Sequence, residues 1–497
     1  MTNTLEQAPA DTAESTSVQP IVPGFHPDPT ICRVGSDYYL ANSSFEYSPG
    51  VPLWHSTDLL RWELVGNVLE RPDQFSAGSA GASKGVFAPT LRHHDGRFWL
   101  ITTDVSGGGG QLVVSAEDPA GPWSSATRIP TLIGIDPDLA WTPDGECYVT
   151  YCATAPELRG IAQARVDLDS GRAMEPPRSL WQGTGLAFPE APHLYQHDGW
   201  WYLVIAEGGT ERGHSVSVAR SVSPEGPFES APSNPLLSHR STTHPVQNTG
   251  HADLVQCADG GWAAVYLGVR PAGMTPMFHV NGRETFLAGV DWVDGWPVID
   301  ESRFSAPVVD RSFEDDFAAP RLHPRWVSPS VAVDAVATRR AGGGVLLQPA
   351  RSAGGTDAMM GVRTLAPRWR FEAEVHSSQA GAAVRLRLDD RHWCEVRLES
   401  GMARAFMRIG PLEAPVSAPE PAPGRIVTLA IEAAAPLGDG PDEVRLLLVG
   451  GADGDVELAR VDGRYLSTEV AGGFTGRVVG VRAPVEPAIL RTARYRE

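Results

Sequence analysis

The sequence predicts an all-β protein: a five-bladed β-propeller followed by an antiparallel, concanavalin-like β-sandwich. Three observations carry that prediction. One pattern recurs five times before residue 300. Period-two alternation of apolar and polar residues then fills positions 313–497. Amphipathic helical stretches of about 12 or more residues are hard to find, so an α/β reading is poor.

The repeat reads "DPTICRVGSDYYL" at 28, "APTLRHHDGRFWL" at 88, "DPDLAWTPDGECYV" at 136, "APHLYQHDGWWYLV" at 191 and "HADLVQCADGGWAAVY" at 251. Each copy opens on a small or polar residue, passes through a polar turn and ends in an aromatic-rich strand. The turn is usually Asp-Gly, the strongest short hairpin signal. The copies start 48 to 60 residues apart, the length of one four-stranded blade. Five blades close into a ring and leave no long edge.

The first strand of each blade lines the central channel, so its opening position is one place seen five times. That place holds Asp28, Ala88, Asp136, Ala191 and His251, with Glu190 immediately before the fourth. Residues far apart in the chain are thereby predicted to meet at one channel mouth. Residues 1–19 are polar and acidic and read as a disordered tail. The propeller is expected over 20–300, a linker over 301–312 and the sandwich over 313–497. Strands such as "WRFEAEVHSS", "IVTLAIEAA" and "EVRLLLVGG" support the last of these.

Bulk properties exclude several function classes. The chain has 497 residues and a formal net charge of -19. An acidic balance without clustered basic residues argues against nucleic acid and against anionic membranes. A small neutral ligand fits best. The five cysteines form no C-x-x-C pair and read as buried free thiols rather than a disulfide framework or zinc site. The start lacks the basic and apolar regions of a secretory leader. No apolar run approaches the ~18 residues of a membrane span. A cytoplasmic protein is expected.

Facing carboxyl groups can hydrolyse a glycosidic bond if one is protonated and the other ionised. Crowding of like charges in a partly dry cavity raises at least one pKa and supplies the acid. Asp28, Asp136 and Glu190 offer such a set. Each alone could be an ordinary turn residue, because Asp before Pro often caps local backbone. Their recurrence at matching blade positions favours a site. His251 reads either as a satisfied core histidine or as a ligand for a metal ion or water cluster in the channel.

The run "PGFHPDPTICRVGSDYYLANSSFEYSPGVPLWHSTDLLRWELVG" resembles the opening of glycoside hydrolase family 43. So do "GVFAPT", "GIDPDLAW", "FPEAPHLY", "IAEGGT", "TGHADLV" and "GRETFLAGVDW", in order over residues 20–300. The tail, with "RHWCEVRLE" and "RYLSTEVAGGFTG", resembles the C-terminal sandwich of the β-xylosidase-type members. The resemblance implies an inverting glycosidase on a five-bladed propeller. It implies Asp28 as general base, Glu190 as general acid and Asp136 as the group that tunes and orients the acid. Arg283 would bind the sugar at the pocket floor, its other reading being a structural ion-pair partner. Beside the resemblance, Phe45, Phe87 and Trp54 read as sugar platforms near the mouth or as blade core, and Thr210 as a sugar contact or a turn cap. His251 matches a channel histidine beside sugar and, in many relatives, beside a calcium ion or water. No cofactor is required by this chemistry; calcium is the one candidate ion.

This sequence departs from the family pattern at several places. The usual Trp-Ala-Pro is Phe87-Ala88-Pro89, and His26 replaces a tyrosine before Pro27-Asp28-Pro29. The segment around the acid reads Pro189-Glu190-Ala191-Pro192-His193 and lacks a glycine after Glu190. No catalytic carboxylate is lost. The expected activity is exo-acting release of terminal β-D-xylose from xylo-oligosaccharides. α-L-arabinofuranosidase, alone or combined with it, is the nearest alternative, because the two sugars present similar hydroxyls. A non-catalytic carbohydrate-binding propeller is the alternative from another class. Related enzymes are often dimers or tetramers, so a homo-oligomer is a candidate state.

Overall fold

Asp-Gly turns set the blade hairpins. Asp95-Gly96 and Asp198-Gly199 both take positive φ at the two central positions, as a type I′ turn requires. They place His94 opposite Arg97 and His197 opposite Trp200. In the third and fifth copies only the glycine of Asp144-Gly145 and Asp259-Gly260 has positive φ, and the turns are longer.

The computed structural model describes residues 18–75, 78, 80–376, 381–451 and 454–497. Most of the N-terminal segment expected to be a tail lies outside them. Five antiparallel sheets follow in chain order. Their innermost strands are Thr30–Val34, Thr90–His94, Gly134–Trp141, Glu190–His197 and Gln247–Gln256. Each inner strand touches the next, and the fifth touches the first. The ring closes where Val22 pairs with Thr285 and the Ile21 N–H donates to the Thr285 carbonyl at 2.9 Å. Ile31, Leu40, Val255, Val265 and Leu287 fill the seam between the first and last blades. The segment expected to be a linker packs back on this seam through Phe304 and Ala306.

The positions opening the inner strands share one backbone state. Asp28, Asp136, Ala191 and His251 have φ of 53°, 54°, 51° and 50°. Only Ala88 of the five differs. Strand pairing shifts register beside three of them, between Ile135 and Asp138, Glu190 and His193, and Gly250 and Asp253. A left-handed, bulged residue costs on the order of 1–3 kcal/mol and re-aims the chain at the channel mouth.

Two residues further along each inner strand, the same face carries Thr30, Thr90, Asp138, His193 and Asp253, all buried. Arg92 from the second blade ties this layer together. Its guanidinium donates to Asp253 Oδ2 at 2.7 Å and to Asp138 Oδ1 at 2.8 Å. Asp253 also accepts from Thr30 Oγ1 at 2.8 Å, the Ile31 N–H at 2.9 Å and the Tyr195 hydroxyl. Asp138 accepts the Leu194 N–H at 2.8 Å, and His193 Nδ1 lies 3.2 Å from its other oxygen. All five blades therefore meet in one hydrogen-bonded layer around the Arg92 guanidinium.

The C-terminal strands form two packed sheets around a single apolar core that includes Trp326, Phe371, Leu386, Leu446 and Tyr495. Strand Trp369–His376 shows the alternating burial of a sheet with one wet face. The sandwich is stitched onto the propeller. Ser328–Pro329 pairs with Tyr47–Ser48, and Arg387 donates to the Tyr47 hydroxyl at 2.7 Å. His279 of the fifth blade meets Glu469 through its N–H at 3.0 Å and through Nδ1 at 2.7 Å. Among the described residues no helix is long and apolar enough to cross a membrane.

Replacing Arg92 by Met strands Asp138 and Asp253 in a buried layer. Removing one partner of a buried ion pair costs about 3–5 kcal/mol. Denaturant unfolding of Arg92→Met is expected to show a loss of that size in the propeller transition. A variant as stable as wild type would show that the blades do not depend on this layer.

Candidate active site

Asp28 is buried at the channel mouth, with both carboxylate oxygens engaged. Arg283 Nη1 donates to Oδ1 at 2.8 Å, and Ser43 Oγ donates to Oδ2 at 2.5 Å. His251 Nδ1 lies 3.5 Å from Oδ1. Burial pushes the Asp28 pKa up, but Arg283, His251, Ser43 and His214 together outweigh it and hold the group below the usual aspartate value. Arg283 Nη2 adds a longer bond to Oδ2 at 3.5 Å, so the acceptor position left for a water is on Oδ1.

Glu190 is in the opposite condition. Burial first, then the charge of Asp28, raise its pKa to about 7, against a smaller opposing pull from Arg283. Asp136 is raised well above the ordinary value by burial, by Glu190 and by Asp28. It accepts a backbone hydrogen bond from Ala191, the residue after Glu190. That bond ties the second carboxyl to the strand that carries the third. Three carboxyl groups thus share the field of one guanidinium, and the one in contact with it is the one whose pKa is lowered.

Arg283 is fixed from several sides. Its Nη1 also donates to Thr210 Oγ1 at 3.0 Å. Its guanidinium carbon lies 5.8 Å from the Phe45 ring and 5.7 Å from the Phe474 ring. The structure therefore gathers Asp28, Arg283, Thr210, His251 and Phe45 around one point, with Phe87 packed 5.2 Å from Phe45. Phe45 is only 2% exposed, because Phe25 and Phe474 stack against it at 5.9 and 5.8 Å. It acts as backing for Arg283, while the partly exposed Phe87 keeps an open ring surface. Trp54 is tied to Asn42 and His26: its indole Nε1 donates to Asn42 Oδ1 at 3.1 Å, and its ring meets His26 edge-on at 5.0 Å.

His251 does not fit a calcium site. Calcium takes 6–8 oxygen ligands. His251 offers a nitrogen, and its surroundings hold His193, with rings 6.2 Å apart, and the positive Arg283. Burial, above all, lowers the His251 pKa to about 3, so the ring is neutral near pH 7. Burial likewise lowers His214 to about 4, and His214 Nδ1 sits 3.1 Å from the Asn248 carbonyl.

Sequence reasoning missed two aromatic residues here. Phe474 comes from the sandwich. Its N–H donates to Ser83 Oγ at 2.9 Å, and its ring meets Phe87 edge-on at 6.0 Å. The loop that carries it lies hard against the fifth blade: a Cβ on Gly476 would stand 2.3 Å from the Asn281 carbonyl oxygen. The signal was in "RYLSTEVAGGFTG", where two glycines precede a phenylalanine and a third follows closely. The other is Phe188, two residues before Glu190. It is 70% exposed, has φ of 52° and leans over Gly209, beside Thr210.

The profile of Glycosyl hydrolases family 43 matches residues 17–297. The chain belongs to this family. A xylosidase/arabinosidase of Butyrivibrio fibrisolvens is 45% identical over 295 residues, 56% of this chain and 56% of that protein. The non-reducing end alpha-L-arabinofuranosidase BoGH43B of Bacteroides ovatus is 44% identical over 296 residues, 58% of this chain and 54% of its own. The matched segment thus spans little more than half the length of these relatives. Among solved structures, Bacteroides ovatus Xyloglucan PUL GH43B superposes with a TM-score of 0.86 at 32% identity, covering 97% of this chain and 99% of that one. A xylan beta-1,4-xylosidase from Bacillus halodurans gives 0.86 at 28% identity, covering 97% and 100%. The resemblance read from the motifs is borne out, as are the propeller and the sandwich.

The docking of Phe474 can be tested directly. Phe474→Ala is expected to lower kcat/KM roughly tenfold, equivalent to about 1.4 kcal/mol, with an unchanged far-UV spectrum. Gly476→Val should reproduce the loss and lower Tm, because its side chain forces the loop off the blade. Unaltered kinetics in both variants would remove the sandwich from the site.

Proposed function

We propose that the protein is an exo-acting, inverting glycosidase that releases terminal β-D-xylose from short xylo-oligosaccharides. One arrangement carries the reading: in a single pocket Asp28 is in direct contact with a guanidinium and a hydroxyl, while Glu190 is buried beside the Asp28 charge. Asp28 is ionised by its contacts with Arg283 and Ser43. Glu190, raised to about 7, keeps a proton over much of the neutral range. In this reading Asp28 takes a proton from the attacking water while Glu190 gives one to the leaving oxygen. Asp136 is a positioning residue: it holds the Glu190 strand through Ala191, and its own raised pKa keeps a second full charge away from the acid.

Exo action is supported by the closure of one side of the pocket. Phe474, Phe45 and Phe87 wall the end that holds Arg283. Phe188, exposed on the Glu190 side, offers a flat apolar face to a departing sugar. A neutral oligosaccharide suits the acidic chain, and a cytoplasmic enzyme acting on imported short oligomers is the setting we propose. α-L-arabinofuranosidase is the second reading. It is favoured by the name of the Bacteroides ovatus relative.

Glu190→Gln cannot donate the proton. On xylobiose its kcat is expected to fall about 10²–10⁴-fold. NMR of the first-formed sugar should show α-xylose from a β-linked substrate. An unchanged rate would reject the acid, and first-formed β-xylose would reject inversion. Matched assays on β-xylosides and α-L-arabinofuranosides rank the two substrate readings.

A further inference from the structure

A second cluster of ligand-type side chains lies apart from the carboxylates, on the segment leading into the innermost strand of the fifth blade. His239 and His244 sit between strands Glu229–Ser230 and Gln247–Gln256. Glu301 follows Trp296–Asp300, the outermost strand of that blade. One ligand atom from each lies within 4.8 Å of the others, and no other group among the described residues meets that test. The two imidazole rings stand 3.9 Å apart, tilted by 40°.

Hydrogen bonding prepares these groups for a cation. His239 Nδ1 is 2.8 Å from the Val246 carbonyl, which can only accept, so Nδ1 carries the proton. The neutral ring then presents the lone pair of Nε2 to Glu301 Oε2, 2.8 Å away. Two lone pairs at that distance need a positive centre, either a proton or a metal ion. Glu301 is oriented from behind by Tyr266, whose hydroxyl donates to Oε1 at 2.8 Å. His244 Nδ1 lies 3.1 Å from the same Val246 carbonyl. The Val246 N–H, 3.2 Å from that nitrogen, competes for it, and metal binding would select the tautomer that donates to the carbonyl. A proton between His239 and Glu301 uses two of the three groups; a divalent ion uses all three. Carbonyl and hydroxyl partners behind metal-binding histidines and carboxylates are the usual means of fixing their orientation.

We propose that His239, His244 and Glu301 bind one divalent transition-metal ion of the zinc type. Two imidazoles and a carboxylate suit zinc and its first-row neighbours, with Zn–N of about 2.0–2.1 Å and Zn–O of about 2.0–2.2 Å. They do not suit calcium, which requires an oxygen shell. His244 and Glu301 are both partly exposed, so a water completes a tetrahedron. The ion pins the 239–246 segment to the edge of the fifth blade, just upstream of the strand that carries His251.

The test uses the full chain, stripped by chelator and titrated with Zn²⁺ by calorimetry and with Co²⁺ by visible absorption. One ion per chain and the intense bands of tetrahedral cobalt are expected, with a rise in Tm of roughly 2–4 °C at saturating zinc. His244→Ala, at a partly exposed ligand, should weaken binding at least tenfold and abolish the cobalt bands. Its metal-free Tm, compared with that of metal-free wild type, reports whether the fold survives. Glu301→Gln provides an independent second variant with the same expected loss. Absence of stoichiometric binding in wild type, or binding unaffected by both substitutions, overturns the proposal.

Discussion

One guanidinium between two buried carboxylates sets the geometry of the propeller. Arg92 reaches from the second blade to Asp138 of the third and Asp253 of the fifth. Through them it reaches Thr30 of the first and Tyr195 of the fourth. Buried charges are tolerated only when paired and hydrogen-bonded, so this layer permits few alternative positions for the inner strands. Two residues earlier the chain passes through left-handed positions, bulged in three of the blades, that re-aim it at the channel mouth. The layer that fixes the strands therefore also fixes Asp28, Asp136 and His251, one step nearer the mouth.

At the mouth itself the charge balance is incomplete. Three carboxyl groups share one Arg283, while burial keeps His251 and His214 neutral. One cation cannot offset three carboxylates in such a place. Asp28 holds its negative charge because it makes the direct contact, while burial, reinforced by neighbouring carboxyl charge, drives Glu190 and Asp136 upward. Backbone strain serves the same end. Four left-handed residues at equivalent blade positions cost stability, and the buried layer beneath supplies the support that lets them persist.

The repeat made the fold and the carboxylate trio legible before any coordinates. Aligning five copies put Ala191, not Glu190, in the shared slot, and the left-handed φ of Ala191 agrees with that alignment. The same logic carried two residues further would have exposed Thr30, Asp138, His193 and Asp253 as a second ring. Arg92 would have remained hidden, since it lies four residues past its slot and acts through side-chain length. Phe474 was out of reach for a different reason. It arrives by domain docking, and no periodicity within the propeller encodes a contact made by a loop nearly 200 residues after Arg283. Phe45 was identified, but its enclosure by Phe25 and Phe474 depends on packing that pattern alone does not convey.

The pH dependence of kcat/KM tests the central claim most directly, because it reports the ionisations of the free enzyme. Glu190 must hold its proton, so activity should fall as pH rises through about 7. Asp28 must stay ionised, so the acid limb, where the protein remains folded, should lie below the ordinary aspartate value of 3.8. A plateau extending well above pH 8, or activity that climbs through 7, would contradict the opposite protonation states on which the account rests.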